Sequence, residues 1–383
     1  MQFSFSEEQQ QFRDMLRRFL AETSPTTETR RLMETEQGFD RDVWARMSQE
    51  LGLAGLGIPE AHGGAGFGMV EVCVALEEMG RGITCTPYFA TSVLAAKAIE
   101  HVASATVQAH LLPQIASGEL TATLAVTEPD GSPNLADVKT SAVPADDGYV
   151  LNGDKRFVID GCSAELLLVV GRTPETSGTH GLSLFQVAPD ASGLTRSPLE
   201  VMDPTRKLAH LHLENTPATL LGVADAAASG LQHTLDLAAL ALANEMVGGA
   251  ERLLEDTVEY TKLRVQFGRT IASFQAIKHR CTEMLLAVEL AKSTAYYAAE
   301  AADEQSPELA ALASQAKAMA ADTYVQLAKE AVQLHGGIGF TWDNDTHLWF
   351  KRAKSSEVLL GDPAWHRERM IQNTVDHMQV AQA

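Results

Sequence analysis

Cysteine is scarce. Cys73, Cys85, Cys162 and Cys281 are the only four in 383 residues, and no two stand in CxxC spacing. That excludes a disulfide-stapled scaffold and fits a reducing compartment, so a cytoplasmic location is expected. Long apolar runs are missing as well: no stretch approaches the ~18 uncharged residues of a membrane span. The opening MQFSFSEEQQQFRDMLRRFLAE mixes charge into its apolar period instead of forming a signal-peptide core, so no membrane insertion is expected. Basic charge is in deficit, with 30 Lys and Arg against 50 Asp and Glu for a net charge of −20. Such a surface repels phosphate backbones, and nucleic acid is excluded as a partner. The histidines, among them His62, His210, His212, His335 and His347, lack HExxH or similar ligand spacing, so no metal is expected. HGGAGFG and HGGIGF are glycine-rich but fit neither a Rossmann nor a Walker pattern.

What is present falls into three segments. Residues 1–120 read mostly helical from Phe3 onward, with Ser6 as an N-cap and Phe5, Phe12, Leu16 and Phe19 on one face of the first helix. Residues 121–223 change to a period of two through TATLAVTEP, VLNGDKRFVID, ELLLVVGR, LSLFQVAP and KLAHLHLEN. Asp147-Gly148 and Asn152-Gly153 are hairpin-like turn signals there. Residues 224–383 are dominated by Ala, Leu, Glu, Gln and Lys in long helical runs near 225–262, 274–303, 308–334 and 344–360. The expected fold is α+β: a helical N-terminal domain, a central antiparallel β-domain and a C-terminal four-helix bundle.

The ordered series LGLAGLGIPEAHGGAG, EEMGR, LAVTEP, NGDKRFVIDG, TKLRVQFGRTIASFQAIKHR and QLHGGIGF resembles the FAD-dependent acyl-CoA dehydrogenase family along nearly the whole chain. The resemblance implies a tetramer with each FAD held by two chains. Its partner-facing half maps onto Arg264, Gln266, Phe267, Gln275, Gln333, Gly336 and Gly337. Arginine forks onto phosphate oxygens, and glycines let backbone N–H groups approach an anion. The half that holds the flavin ring of the chain's own site maps onto Thr127, Phe157 and Ile159. There Phe157 stands where Trp is usual and Ile159 where Thr commonly bonds the flavin. In TEPDGSPN, Asp130, Pro133 and Asn134 replace a small, flexible Gly-rich loop.

Forming a 2,3-enoyl thioester takes an α-proton to a carboxylate base while hydride leaves the β-carbon. The family's commoner glutamate, in a Tyr-Glu-Gly-Thr motif, falls on Leu360; its alternative falls on Ala238, with Ala239 at a neighbouring Arg position. Neither residue can take a proton. The methyl groups at Ala238 and Ala239 suggest room in the pocket, which fits a bulky substrate and a disused site equally. Glu245, seven residues beyond Ala238, and the acids Glu357 and Asp362 are substitutes, although an ion pair within the bundle or across a subunit interface explains Glu245 better, and surface or capping roles explain the other two. The backbone N–H at Leu360 survives as a donor to a thioester carbonyl. His366, Arg367 and Arg369 read as a solvated helical face, with a place near CoA phosphates as the alternative.

A chain that keeps the half-site given to a neighbour and loses its own base looks like the non-catalytic subunit of a heteromer. The resemblance extends to bacterial enzymes of the steroid side-chain type, with a paralogous chain supplying the glutamate in an α2β2-type tetramer and electron-transfer flavoprotein as acceptor. The alternatives are a homo-oligomeric dehydrogenase using Glu245 and a redox-silent acyl-CoA-binding paralogue.

Overall fold

The computed structural model describes residues 5–380, with side chains up to residue 375. Phe3 lies outside the described residues. The chain divides into two compact units: one comprises the residues up to Arg30, Met69–Thr84 and everything from Ala239 onward, the other Arg31–Gly68 and Cys85–Ala238. The N-terminal helices are α1 (Glu7–Thr23), α2 (Thr26–Leu32), α3 (Arg41–Gln49), α4 (Met69–Gly82), α5 (Ala96–Val102) and α6 (Ala105–Ala116). The later ones are α7 (Ala228–Leu263), α8 (Gln275–Asp303), α9 (Leu309–His335), α10 (Thr346–Val358) and α11 (Pro363–Val380). Ser6 caps α1 as expected, in a capping box with Gln9.

In the first unit, glycine sets the spacing between α4 and α7. A Cβ on Gly80 would lie 1.9 Å from the Glu245 carbonyl oxygen, and one on Gly248 would lie 1.9 Å from that of Glu77. Backbone therefore meets backbone, and no side chain fits between the two helices. Next to this crossing, buried Glu77 accepts hydrogen bonds from Arg13 of α1 (3.1 Å) and from Tyr296 of α8 (2.7 Å). Burial raises the Glu77 pKa, against the pull of Arg13 and the Tyr296 hydrogen bond. Helix α9 packs against α8, α10 and α11, so the expected bundle carries one helix more, α11, than the sequence period had separated.

In the second unit the strands are β1 (Ala122–Ala125), β2 (Ser141–Ala145), β3 (Gly148–Ile159), β4 (Leu166–Arg172), β5 (Leu182–Val187), β6 (Leu194–Pro198) and β7 (Leu208–Leu220). The sheet runs β1-β4-β2-β3-β7-β5, with β6 on β7, and a further β4–β5 pairing closes it on itself. Leu151, Leu167, Val169, Phe185 and Leu211 fill its interior. Most pairs are antiparallel as expected, but β1 and β2 pair with β4 in parallel. The intervening hairpin provides the long connection that a parallel pair needs. Asp147-Gly148 does turn the chain between β2 and β3, whereas Asn152-Gly153 lies inside β3 at a register shift. Gly153 takes φ 149°, and a Cβ there would meet the Thr140 Cα at 2.8 Å, so this signal marks a bulge and not a hairpin.

Gly248→Ala should overpack the α4–α7 crossing and cost about 1–3 kcal/mol or more. Chemical denaturation measures it, and an unchanged midpoint would show that the helices can separate freely.

Candidate functional site

The residues of the expected cofactor site lie in both units. In the first, α7 ends at Leu263 and the chain turns through the short hairpin of β8 (Val265–Gln266) and β9 (Arg269–Thr270). Phe267 and Gly268 form its tip at φ 52° and 77°, both in the left-handed region that suits a two-residue hairpin. Phe267 is 91% exposed, and Arg264, Gln266 and Gln275 are exposed beside it in sequence. Gln333, Gly336 and Gly337 are also exposed, where α9 gives way to a 3-10 turn over Gly336–Phe340. Gly336 needs its freedom for φ 67°, but a Cβ on Gly337 would meet nothing within 4 Å. The chain's own packing does not require a glycine at 337. The exposed guanidinium, amides and open glycine backbone form a donor set suited to the phosphates of a dinucleotide.

In the second unit, Thr127 is half-buried and its carbonyl accepts from the Arg156 N–H at 2.8 Å. Phe157 sits at φ 59° and is 39% exposed. Ile159 is buried, and its carbonyl accepts from the Thr123 hydroxyl at 2.6 Å. Glu128 ties the strands below: it accepts from the Lys139 and Thr140 amides, the Thr140 hydroxyl and the Lys155 ammonium, the last at 2.9 Å. Burial opposes ionisation of Glu128, but Lys155 and Thr140 outweigh it and hold its pKa below the ordinary value. The loop that follows is stapled by its own side chains. Asp130 accepts from the Lys139 ammonium (2.8 Å), the Ser132 hydroxyl donates to Asp137 (2.6 Å) and the Asn134 side chain accepts from the Ala136 amide (3.0 Å). The substitutions that break the Gly-rich pattern therefore build a fixed turn.

None of the expected seats for the base holds one. Ala238 and Ala239 are fully packed, so the open space inferred from their small size is absent. Glu245 is buried and accepts from the Arg352 guanidinium of α10 at 2.7 Å, in the ion pair that the sequence offered as its other explanation. Glu357 accepts from the Lys354 ammonium one turn back, and Asp362 caps the start of α11 through the Trp365 amide at 2.8 Å. Leu360 stands at φ 60°, and its N–H has no hydrogen-bond partner among the described residues. His366 is buried, in contrast to the exposed Arg367. Burial pushes the His366 pKa down to about 3, so the ring is neutral and its Nε2–H donates to the Leu360 carbonyl at 3.1 Å. Sequence reasoning had no signal for Arg352, Lys155 or His366 as partners, since each pairs across more than one element. Among the described residues no cluster is suited to a metal ion, and no helix is long and apolar enough to cross a membrane.

One unit of packed helices and one that contains a closed sheet, in the chain order helices, strands, helices, make an α+β chain. Residues 6–119, 123–216 and 229–374 match the models of the acyl-CoA dehydrogenase N-terminal, middle and C-terminal domains. The chain belongs to the acyl-CoA dehydrogenase family of oxidoreductases, whose cofactor is FAD. It is 33% identical to acyl-CoA dehydrogenase IpdE2 of Mycobacterium tuberculosis, over 93% of this chain and 94% of that one. Among solved structures it is similar to a variant of the Tcur3481-Tcur3483 steroid ACAD, with TM-score 0.87 and 31% identity over 97% of this chain and 99% of that one. It is also similar to the ChsE4-ChsE5 complex of M. tuberculosis, with TM-score 0.87 and 26% identity over 98% and 99%.

Breaking the buried pair by Glu245→Ala or Arg352→Ala should destabilise the fold by about 3–5 kcal/mol, and the double variant by less than the sum. Strict additivity in denaturation would show that the pair is not coupled. His366 binds its proton far more weakly folded than unfolded, so its contribution is complete above pH 6.5 and is lost as pH falls toward about 3. His366→Phe should flatten that part of the stability profile, as followed by thermal melts across pH.

Proposed function

We propose that this chain is the non-catalytic subunit of a heteromeric, FAD-dependent acyl-CoA dehydrogenase. It gives half of a flavin site to a paralogous chain, and that chain supplies the glutamate base. The observation that carries this reading is a contrast within the chain. Arg264, Gln266, Phe267, Gln275, Gln333 and Gly337 are exposed, while Leu360 and Ala238 hold no carboxylate and Glu245 is bound to Arg352.

When bound, FAD supplies the hydride acceptor for the β-carbon of the thioester. Arg264 and the open backbone at Gly336 and Gly337 would hold the pyrophosphate of the partner's FAD, and Gln266, Phe267, Gln275 and Gln333 would hold its adenosine half. In the chain's own half, beside Thr127, neither Phe157 nor Ile159 offers a side-chain donor to a flavin edge, so the one flavin ring of each pair would lie in the partner's half. The free N–H of Leu360 donates to an acyl-CoA carbonyl, a function of the backbone that survives the loss of the glutamate. Similarity to the Tcur3481-Tcur3483 steroid ACAD supports a bulky, ring-bearing acyl group and an α2β2-type assembly. Electron-transfer flavoprotein, the acceptor implied by the family, would reoxidise the flavin in a cytoplasmic complex.

The homo-oligomeric reading needs Glu245 as base. That carboxylate is engaged in a buried 2.7 Å ion pair with Arg352, which a role as base would have to break. A redox-silent acyl-CoA binder would leave the exposed donor set without a cofactor.

Purified alone, the chain should carry little flavin; co-expressed with its paralogue it should yield about one FAD per pair of chains. In that complex, Arg264→Ala and Gly337→Ala should weaken flavin retention roughly tenfold. The same variants should leave unfolding within about 0.5 kcal/mol of wild type. Stoichiometric FAD and full turnover by the homo-oligomer would overturn the proposal.

A further inference from the structure

We infer that Lys317 and His366 are positioning residues that set the aim of the Leu360 amide, the donor assigned above to the thioester carbonyl; the inference rests on that assignment. After α10 ends at Val358, the chain makes a tight turn in which Leu359 N–H donates to Ser355 and Gly361 N–H to Val358, each at 3.3 Å. Between these two amides the N–H of Leu360 has no partner among the described residues. The turn is held instead by its carbonyls. The fully buried Lys317 ammonium, from α9, donates to Glu357 (3.2 Å) and to Gly361 (3.0 Å), and His366 from α11 donates to Leu360 (3.1 Å). Three carbonyls of one five-residue stretch are thus fixed by two buried side chains on two other helices.

The backbone is strained where it is held. Leu360 has φ 60°, a region that strains a side-chain-bearing residue and persists only where the surroundings impose it. Gly361 follows at φ 106°, and a Cβ there would lie 2.6 Å from the Trp365 ring. Leu359 (φ −66°, ψ 132°) and Leu360 are the central residues of a type II turn closed by the Gly361–Val358 bond, a turn that needs a positive φ at its second central residue and usually places glycine there. The turn leaves the Leu360 N–H out of the local hydrogen-bonding pattern, and the Lys317 and His366 bonds fix the orientation of its carbonyls. A side chain at 360 is not needed for this: the clamp touches only backbone, so it works with leucine as it would with glutamate.

The test is made on the co-expressed complex loaded with an acyl-CoA carrying a 13C-labelled thioester carbonyl, by isotope-edited infrared difference spectroscopy. Replacing the Leu360 amide by an ester, through incorporation of the matching α-hydroxy acid, deletes the donor alone. The difference between this form and wild type isolates the contribution of this chain from that of the partner's site. A lost carbonyl downshift in the ester form confirms the donor, and its persistence overturns the donor assignment itself. Lys317→Met should lose most of the same downshift while the complex still assembles and still binds the thioester. A downshift abolished by the ester but kept in a folded Lys317→Met complex overturns the clamp and leaves the donor standing. Should Lys317→Met not assemble, His366→Phe is read in its place: it removes one bond of the same turn, and an unshifted carbonyl frequency relative to wild type overturns the clamp.

Discussion

The crossing of α4 and α7 is the constraint on which the helical unit depends. With no side chain between Gly80 and the Glu245 backbone, or between Gly248 and the Glu77 backbone, the two helices are held at backbone contact. That contact fixes where the neighbouring acids project. Glu77 is buried at the point where Arg13 and Tyr296 reach it, which ties α1 and α8 to the crossing. Glu245, one helical turn from Gly248, is placed to take Arg352 and so fixes α10. The turn at Leu360 begins where α10 ends, so its position is inherited from two glycines more than a hundred residues earlier in the chain.

The segments proposed for the two half-sites differ in how they are built. In the hairpin after α7, Phe267 takes a left-handed conformation and stands 91% exposed at the tip. An isolated chain gains nothing from either feature, and a neighbour that covers the tip recovers the hydrophobic term. The inward half is closed by local bonds. The Lys139–Asp130 and Ser132–Asp137 bonds tie a loop that resembles a flexible glycine-rich one, and Ile159 contributes burial where a hydroxyl would contribute a donor.

Much of the fold was legible because its signals are local. The cap at Ser6, the switch from a 3.6 to a 2 period near residue 121 and the long C-terminal helices depend on residues close in sequence. The misread turn shows the limit. Asn152-Gly153 carries a hairpin signal, but the Thr140 backbone lies against Gly153 and the glycine serves a bulge in a continuing strand. The parallel pairing of β1 and β4 was likewise invisible, since register between distant strands leaves no local mark. At the site, order and spacing singled out the candidate residues, and the structure shows Arg264, Phe267 and Gln333 exposed and Ala238 buried. Partners remained hidden, because Arg352 is 107 residues from Glu245 and Lys317 is 44 from Gly361.

Loss of the base and retention of the carbonyl donor are compatible because they belong to different parts of one residue. The proton acceptor is a side-chain property and disappears with a single change to leucine. The donor is a backbone property, fixed by φ at 360 and by bonds from Lys317 and His366 to carbonyls, none of which the side chain touches. The left-handed residue is what the type II turn requires at that position, and Lys317 and His366 add a fixed orientation of the turn's carbonyls. On the reading proposed above, a subunit that surrenders the chemistry of its site at one side chain loses nothing of this backbone geometry, because the two depend on different atoms.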